Sequence, residues 1–506
     1  MIIFKPSIFI CLILFLSCNK QSSPYGPTGS DNYVLDVSMD GDARDFAILN
    51  DINIDNFLNS TGERIIEDCS LSGEDEIPSC EERYWCKIDG EQCVSDTKDL
   101  IVVANSDESM GLLIYEIINE PNLSYQLVYQ NNEIEYEDPS SGEENLLDTE
   151  LRSIYYFSSK YLIYTLDKFE LVYSIFLPGI LSDFISPFNI ETAEQTAHCL
   201  EGTVPIQAIT QTGINSGSYH STQFKQISET VPIGFLVLNK WNTATNGGTN
   251  LGGDEVLPYV HHSKIHYLGY NAGHPPLEPE NMDPQSDPIY SACTGDGGPS
   301  LEALDLFYWG DSEEGGYELD YNVTDFSFSN NILEVANPKD GYYSYRAYNL
   351  GLEANEFNGS LESNLTENTQ KVEWLVPSKI RSIYSKNGHT YLGLENNGCY
   401  ITTQTDFSDC QVGLCTFNIV DNTGFFEIAD GFTVYNVYYD DTNDLLLLSC
   451  GSSGVLIYEW HENGVAPIFS AHVTSSYAYS AQVFNSNYKY LMISTTNGIE
   501  VYNIGG

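Results

Sequence analysis

A short apolar pattern returns along the chain, and it constrains the fold more than any other feature. A polar residue, a small polar or acidic residue and an apolar residue open each copy, and alternation follows. The copies are Arg44-Asp45-Phe46-Ala47-Ile48, Arg152-Ser153-Ile154-Tyr155-Tyr156, Thr324-Asp325-Phe326-Ser327-Phe328, Arg381-Ser382-Ile383-Tyr384, Tyr435-Asn436-Val437-Tyr438 and Tyr479-Ser480-Ala481-Gln482-Val483. Each is followed by a turn and a second apolar run, as in Leu100 to Ala104, Tyr391 to Leu394 and Leu445 to Ser449. In the clearest copies a glycine turn then leads to a third run, beginning at Gly111, Gly454 and Gly498. Short Val-, Ile-, Leu- and Tyr-rich runs broken by Gly, Asn and Asp are strand chemistry. One antiparallel meander cannot bury both of its faces, so such units stack radially, with about 40–45 residues per blade in comparable repeats.

The pattern resembles the LVIVD repeat family. Ala43-Arg44-Asp45-Phe46-Ala47-Ile48 is similar to the start of that family's unit, and Leu448 to Trp460 to its middle and end. The resemblance covers most of residues 33–173 and 320–506 and implies a propeller. The expected fold class is therefore all-β: a β-propeller of six or seven four-stranded blades with loop insertions, after a lipoprotein signal peptide. Tyr33-Val34-Leu35-Asp36-Val37 is expected to supply the outer strand of the last blade, which would remove an exposed edge. Residues 174–320 fit the repeat worst. There Gly234 to Leu238 reads as a strand and Trp241 to Gly253 as a loop, with Val256–Val260 and Ile265–Tyr270 as the strands of a degenerate unit.

The N-terminus carries Lys5 and then a short apolar core, Ile8 to Leu16, too short for a bilayer that needs roughly 20 apolar residues. This is the profile of an export signal. Phe15-Leu16-Ser17-Cys18 resembles the bacterial lipobox, which implies lipid attachment at Cys18 after removal of residues 1–17; an ordinary signal peptide cut slightly later is the alternative. Residues 18–31 then form a polar Pro/Gly/Ser tether, and 32–506 the propeller. Insertions are expected at about 50–98, which is Cys-rich, and at 174–253. The expected location is a bacterial outer membrane or cell surface, outside the cytoplasm, with membrane contact through the lipid alone.

Lys and Arg number 20 against 72 Asp and Glu, for a net charge of −52. Such a surface repels nucleic acid, which is excluded as a partner. Cys69, Cys80, Cys86 and Cys93 are disulfide candidates within one acidic stretch, at spacings that do not match paired zinc knuckles. Cys199, Cys293, Cys399, Cys410, Cys415 and Cys450 are further candidates, with connectivity open. His261, His262, His266 and His274 are the one histidine concentration and the weak metal candidates. If they belong to a blade, they sit around a hairpin turn. Asp440 to Asp444 reads as a plain turn rather than a calcium loop. No Gly-x-Ser-x-Gly elbow, phosphate-binding loop or haem motif occurs, and no catalytic residue or cofactor is implied. The cluster Tyr342, Tyr343, Tyr345 and Tyr348 could stack on sugar or fill a core.

The expected function is a membrane-anchored binding scaffold without catalysis, taking a protein or glycan ligand on its loops. A metal-dependent enzyme with its site at the channel mouth and a carbohydrate-binding surface protein are the alternatives. Fold does not choose among them.

Overall fold

The computed structural model describes residues 35–53, 85–157, 323–349 and 370–505 with short breaks, the strands alone between 158 and 322, and Cys69 and Cys80. Within these residues the protein is nearly all β and forms seven sheets of four or five strands, numbered here I to VII in chain order. Sheet I comprises Ala43–Asn53, Thr97–Asn105, Leu112–Ile118 and Ser124–Asn131. Sheet II comprises Leu151–Phe157, Leu162–Asp167, Val172–Phe176 and the short Val204–Pro205. Sheet III comprises Gln223–Ser228, Gly234–Ala244, Tyr259–Gly269 and Glu302–Trp309. Sheet IV holds Phe326–Ser329, Ile332–Ala336, Ser344–Asn349 and Lys371–Leu375.

Sheet V holds Ile380–Lys386, His389–Leu394, Cys399–Thr403 and Phe426–Ile428. The chain between its third and fourth strands crosses to sheet IV, where Leu414–Asn418 adds a fifth strand, parallel to Lys371–Leu375. Sheet VI holds Asn436–Asp440, Leu445–Ser449, Val455–Glu459 and Ile468–Val473. Sheet VII takes Ala478–Asn485, Lys489–Thr495 and Gly498–Gly505 from the end of the chain and Leu35–Met39 from its beginning.

This last pairing is the one expected from the sequence, shifted by two residues. Leu35–Met39 runs antiparallel to Gly498–Gly505, with Leu35 opposite Tyr502 and Met39 opposite Ile499. Two turn glycines show why the N-terminal strand occupies an ordinary repeat position. Gly454 has φ +80°, and a Cβ there would lie 2.1 Å from the carbonyl of Val473, in the fourth strand of sheet VI. Gly498 has φ +96° and meets the carbonyl of Met39 in the same way. Leu35–Met39 thus stands where each other unit places its own fourth strand, close enough that only glycine fits beneath it.

The cores lie between sheets. Met39, Phe484, Met492, Ile499 and Val501 of sheet VII pack with Phe46, Ile101, Val103 and Leu113 of sheet I. Equivalent clusters join IV to V, V to VI and VI to VII. A middle strand is covered on both faces, so its residues are buried consecutively and the polar alternation of a half-exposed strand disappears. Leu100 to Asn105 and Tyr490 to Thr495 are each buried without a break. First strands of consecutive sheets lie side by side from IV through VII, and Ala43–Asn53 of sheet I touches the first strands of both VII and II.

Two expectations for residues 174–320 need correction. Trp241 is the eighth residue of a strand that runs to Ala244, opposite His262, rather than the start of a loop. Residues 259–269 are one strand, paired on one side with Gly234–Ala244 and on the other with Glu302–Trp309, rather than two strands about a turn. The β-branched and aromatic content of 259–268 sustains extended chain through the polar histidines. The turn at Asp440 to Asp444 is as expected: Asp440 accepts the amides of Thr442 (3.0 Å) and Asn443 (3.2 Å).

Candidate functional site

The opening residues of the repeat divide their work between holding sheets together and facing outward. Asp45 Oδ1 accepts the amide of Phe46 at 2.9 Å, and its Oδ2 accepts the amide of Ile154, in sheet II, at 3.2 Å. Asp325 does the same with Phe326 at 2.7 Å and with Ile383 of sheet V at 2.8 Å. The aspartate is therefore a clamp between neighbouring first strands, satisfying amides that burial would otherwise leave costly.

The residue before that clamp is bulged. In four sheets the first-strand register skips one residue at the same repeat position: between Ala43 and Asp45, Leu151 and Ser153, Ile380 and Ser382, and Ala478 and Ser480. The skipped residues are Arg44, Arg152, Arg381 and Tyr479. A bulge of this kind re-aims the extra side chain. The chain has six arginines in all, so three at one repeat position mark that position as special. In sheet VI the same position is Tyr435, whose amide bonds the carbonyl of Ser449 at 2.8 Å.

Around sheets V, VI, VII and I these side chains form one continuous run. The Arg381 guanidinium carbon lies 5.8 Å from the centre of the Tyr435 ring. Ring centres are 5.9 Å apart between Tyr435 and Tyr477, and 5.1 Å apart between Tyr477 and Tyr479. The Arg44 guanidinium carbon closes the run at 4.5 Å over the Tyr479 ring. Both distances are within the range of a cation–π contact. Gly451, at φ +57°, passes beneath the rings; a Cβ there would come within 2.8 Å of Tyr435 and 3.0 Å of Tyr477.

Hydrogen bonds hold the run in place. Arg44 donates from Nε to Ser106 Oγ at 2.9 Å and from Nη2 to Asp42 Oδ2 at 2.8 Å, while Ser106 donates to Asp42 at 2.6 Å. Arg381 Nη2 pairs with Glu395 Oε2 at 3.0 Å. The loop carrying Tyr477 is tied down by Ser476, whose Oγ donates to Glu500 Oε1 at 2.7 Å, and Glu500 in turn accepts from the Tyr502 hydroxyl at 2.7 Å. Burial, and then the hydrogen bond with Tyr435, pushes the Tyr477 hydroxyl up to about 12, so it stays neutral. Tyr435 is 38 % exposed, and Arg44, Arg381, Tyr477 and Tyr479 are half-buried. The rim offers aromatic faces, guanidinium donors and carboxylate acceptors.

The residues singled out from sequence lie elsewhere. Cys18, His274, Cys199 and Cys293 lie outside the described residues. His261, His262 and His266 lie along the strand Tyr259–Gly269, with Asn242, Trp241 and Val237 as their partners in the neighbouring strand. Four residues of extended chain set the backbones of His262 and His266 about 13 Å apart.

The cysteine-rich insertion forms Cys69–Cys86 and Cys80–Cys93 around the hairpin Cys86–Asp89 and Gln92–Ser95, with Trp85 and Cys69 buried beneath. The sulfurs of Cys69, Cys86 and Cys93 lie within 4.8 Å of one another, but as members of two disulfides they are not thiolate ligands. Cys410 pairs with Cys415, whereas Cys399 and Cys450 are buried free thiols, which corrects their reading as disulfide candidates. Tyr345 and Tyr348 are 0 % and 2 % exposed, so they fill the core and do not form a sugar platform. Their strand is covered on both faces. Tyr343 is 47 % exposed, and Tyr342 lies outside the described residues.

No family model matches the chain, and no curated protein does. Among solved structures it is similar to the computationally designed Ika8 protein, at 9% identity and TM-score 0.37 over 87% of this chain and 100% of that one. It is similar to Saccharomyces cerevisiae Sqt1 at 11% identity and TM-score 0.36, over 92% and 99% of the two chains. The designed Ika4 protein aligns at 12% identity and TM-score 0.24, over 38% of this chain and 96% of that one. At these scores the likenesses carry no weight for fold or function.

Proposed function

We propose that the chain is a lipid-anchored, extracytoplasmic propeller of seven blades that binds a partner on the Arg–Tyr rim and has no catalytic activity. The seven sheets support the blade number. The contacts of Gln223–Ser228 with the first strands of both sheets II and IV support a closed circuit of first strands. The lipobox-like Phe15-Leu16-Ser17-Cys18 and the polar tether after it support the anchor. Among the described residues no helix is long and apolar enough to cross a membrane.

The observation that carries the binding reading is the continuity of the rim. Five side chains, borne by sheets V, VI, VII and I and by the loop between VI and VII, touch in sequence at one end of the first strands, held by glycine and by ion pairs. Rigid scaffolds commonly carry recognition at such ends.

Photo-crosslinking in intact cells tests this. A photoreactive phenylalanine at Tyr435 is expected to trap a partner. The same group at Asn387, in the turn at the other end of a first strand, is expected to trap none. Equal trapping at both, or trapping at Asn387 alone, would overturn the assignment. Replacement of Cys18 by Ala should release the protein from membranes; retention would overturn the anchor.

A further inference from the structure

We infer that the rim takes a neutral glycan; this rests on the reading of the rim as the binding surface and names its ligand class. Three tyrosine rings in contact, with centres 5.9 and 5.1 Å apart and planes tilted by 46° and 52°, form a stepped aromatic ledge. Such rings are rigid, apolar on their faces and polar at one tip, and so present area without much loss of side-chain freedom. The apolar C–H face of a sugar ring suits that surface.

Both arginines beside the ledge already have a carboxylate partner. Arg44 pairs with Asp42, and Arg381 with Glu395, so each arginine stands beside a carboxylate that offsets its charge, and Glu500 adds a further acceptor held by Ser476 and Tyr502. An Arg–carboxylate pair offers parallel donors and acceptors to neighbouring hydroxyls, the pattern that a sugar diol presents. The chain as a whole, at a net charge of −52, repels polyanions, which disfavours uronate-rich or sulfated chains relative to uncharged ones.

A protein partner fits less well. Protein interfaces bring a desolvated apolar centre, yet the large exposed aliphatic side chains among the described residues, Ile88, Leu127, Leu414, Val420, Val465 and Ile468, all lie off the rim. Only Tyr435 of the exposed large apolar side chains belongs to it.

Native affinity electrophoresis of the mature protein tests the inference, in gels containing a soluble β-glucan, a galactomannan or a xylan, with polygalacturonate as the charged comparison. Retardation by at least one neutral polymer is expected. It should weaken about tenfold in the double variant Tyr435→Ala/Tyr479→Ala, since truncating a central aromatic anchor commonly costs that much. Tyr477→Phe, which keeps the ring, should retain it, and near-ultraviolet circular dichroism reports whether each variant is folded. Retardation by polygalacturonate alone, lost in the double variant, would overturn the ligand class but leave the rim as the binding surface. Retardation that a folded double variant keeps would place the glycan elsewhere and overturn the inference. No retardation by any polymer would also overturn it, while crosslinks at Tyr435 would still uphold the rim.

Discussion

Glu334 gives the structure a dependence on pH that one substitution should remove. It sits in the second strand of sheet IV, 0 % exposed, against sheet V. Its carboxyl accepts hydrogen bonds from the Ser385 hydroxyl and from Thr390 Oγ1, the latter at 2.8 Å. Burial pushes the group up to about 7, and the two hydroxyls oppose that shift without cancelling it. A carboxyl whose folded value is raised binds its proton more tightly in the folded state. Its contribution is fully present below the unfolded value of 4.5 and is lost as pH rises through about 7. The difference between those values corresponds to about 3 kcal/mol.

Glu334→Gln keeps an acceptor for the two hydroxyls and never ionises. The variant should match the parent within about 1 kcal/mol near pH 5 and exceed it by about 3 kcal/mol near pH 8. Urea unfolding of both proteins across that range measures this. Self-repulsion among the many other carboxylates also rises with pH, but it is common to both proteins and leaves their difference unchanged. Parallel pH profiles, or a variant less stable than the parent near pH 8, would refute the reasoning.

Asp325→Ala removes the acceptor for two amides, Phe326 and Ile383, at a site 5 % exposed. A loss of about 2–4 kcal/mol is expected from the unsatisfied buried donors, read as a lower urea midpoint; a change below about 0.5 kcal/mol would mean the clamp is dispensable. Elemental analysis of the mature protein should find no zinc, copper or iron at one per chain. A stoichiometric metal that vanishes on replacing His261, His262 and His266 together by Ala would instead support an enzyme.

What was legible in the sequence is what is local in the chain. Strand runs such as Leu445 to Ser449, the glycine turns at Gly454 and Gly498, and the hairpin at Asp440 follow from neighbouring residues. The pairing of Leu35–Met39 with the last strand was also accessible, because the final unit ends one strand short. The rim was not. Arg44 and Tyr479 are 435 positions apart, and Arg381 lies in sheet V while Tyr477 lies in the loop before sheet VII, so only the stacking of sheets brings them together.

A usable signal was present nonetheless: in a chain poor in basic residues, Arg44, Arg152 and Arg381 recur at one repeat position. The tyrosines from 342 to 348 are denser in the sequence, but Tyr345 and Tyr348 are internal because both faces of their sheet are covered. The histidines at 261–266 differ from their local pattern for a related reason. Polar residues suggested a turn, whereas pairing on both sides keeps the strand extended.

The closed circuit of seven sheets is the claim on which the continuity of the rim depends, since Arg44 and Tyr479 meet only where sheet I joins sheet VII. Thermal unfolding of the mature chain, beside the same chain lacking residues 31–39, tests it most directly. Removing the outer strand of sheet VII takes away its backbone pairing and the buried Met39, and exposes Ile499 and Val501. With about 2 kcal/mol for each fully buried apolar side chain involved, the melting temperature should fall by about 5 °C or more. An unchanged melting temperature would contradict the account, because the N-terminal strand would then not be closing the ring.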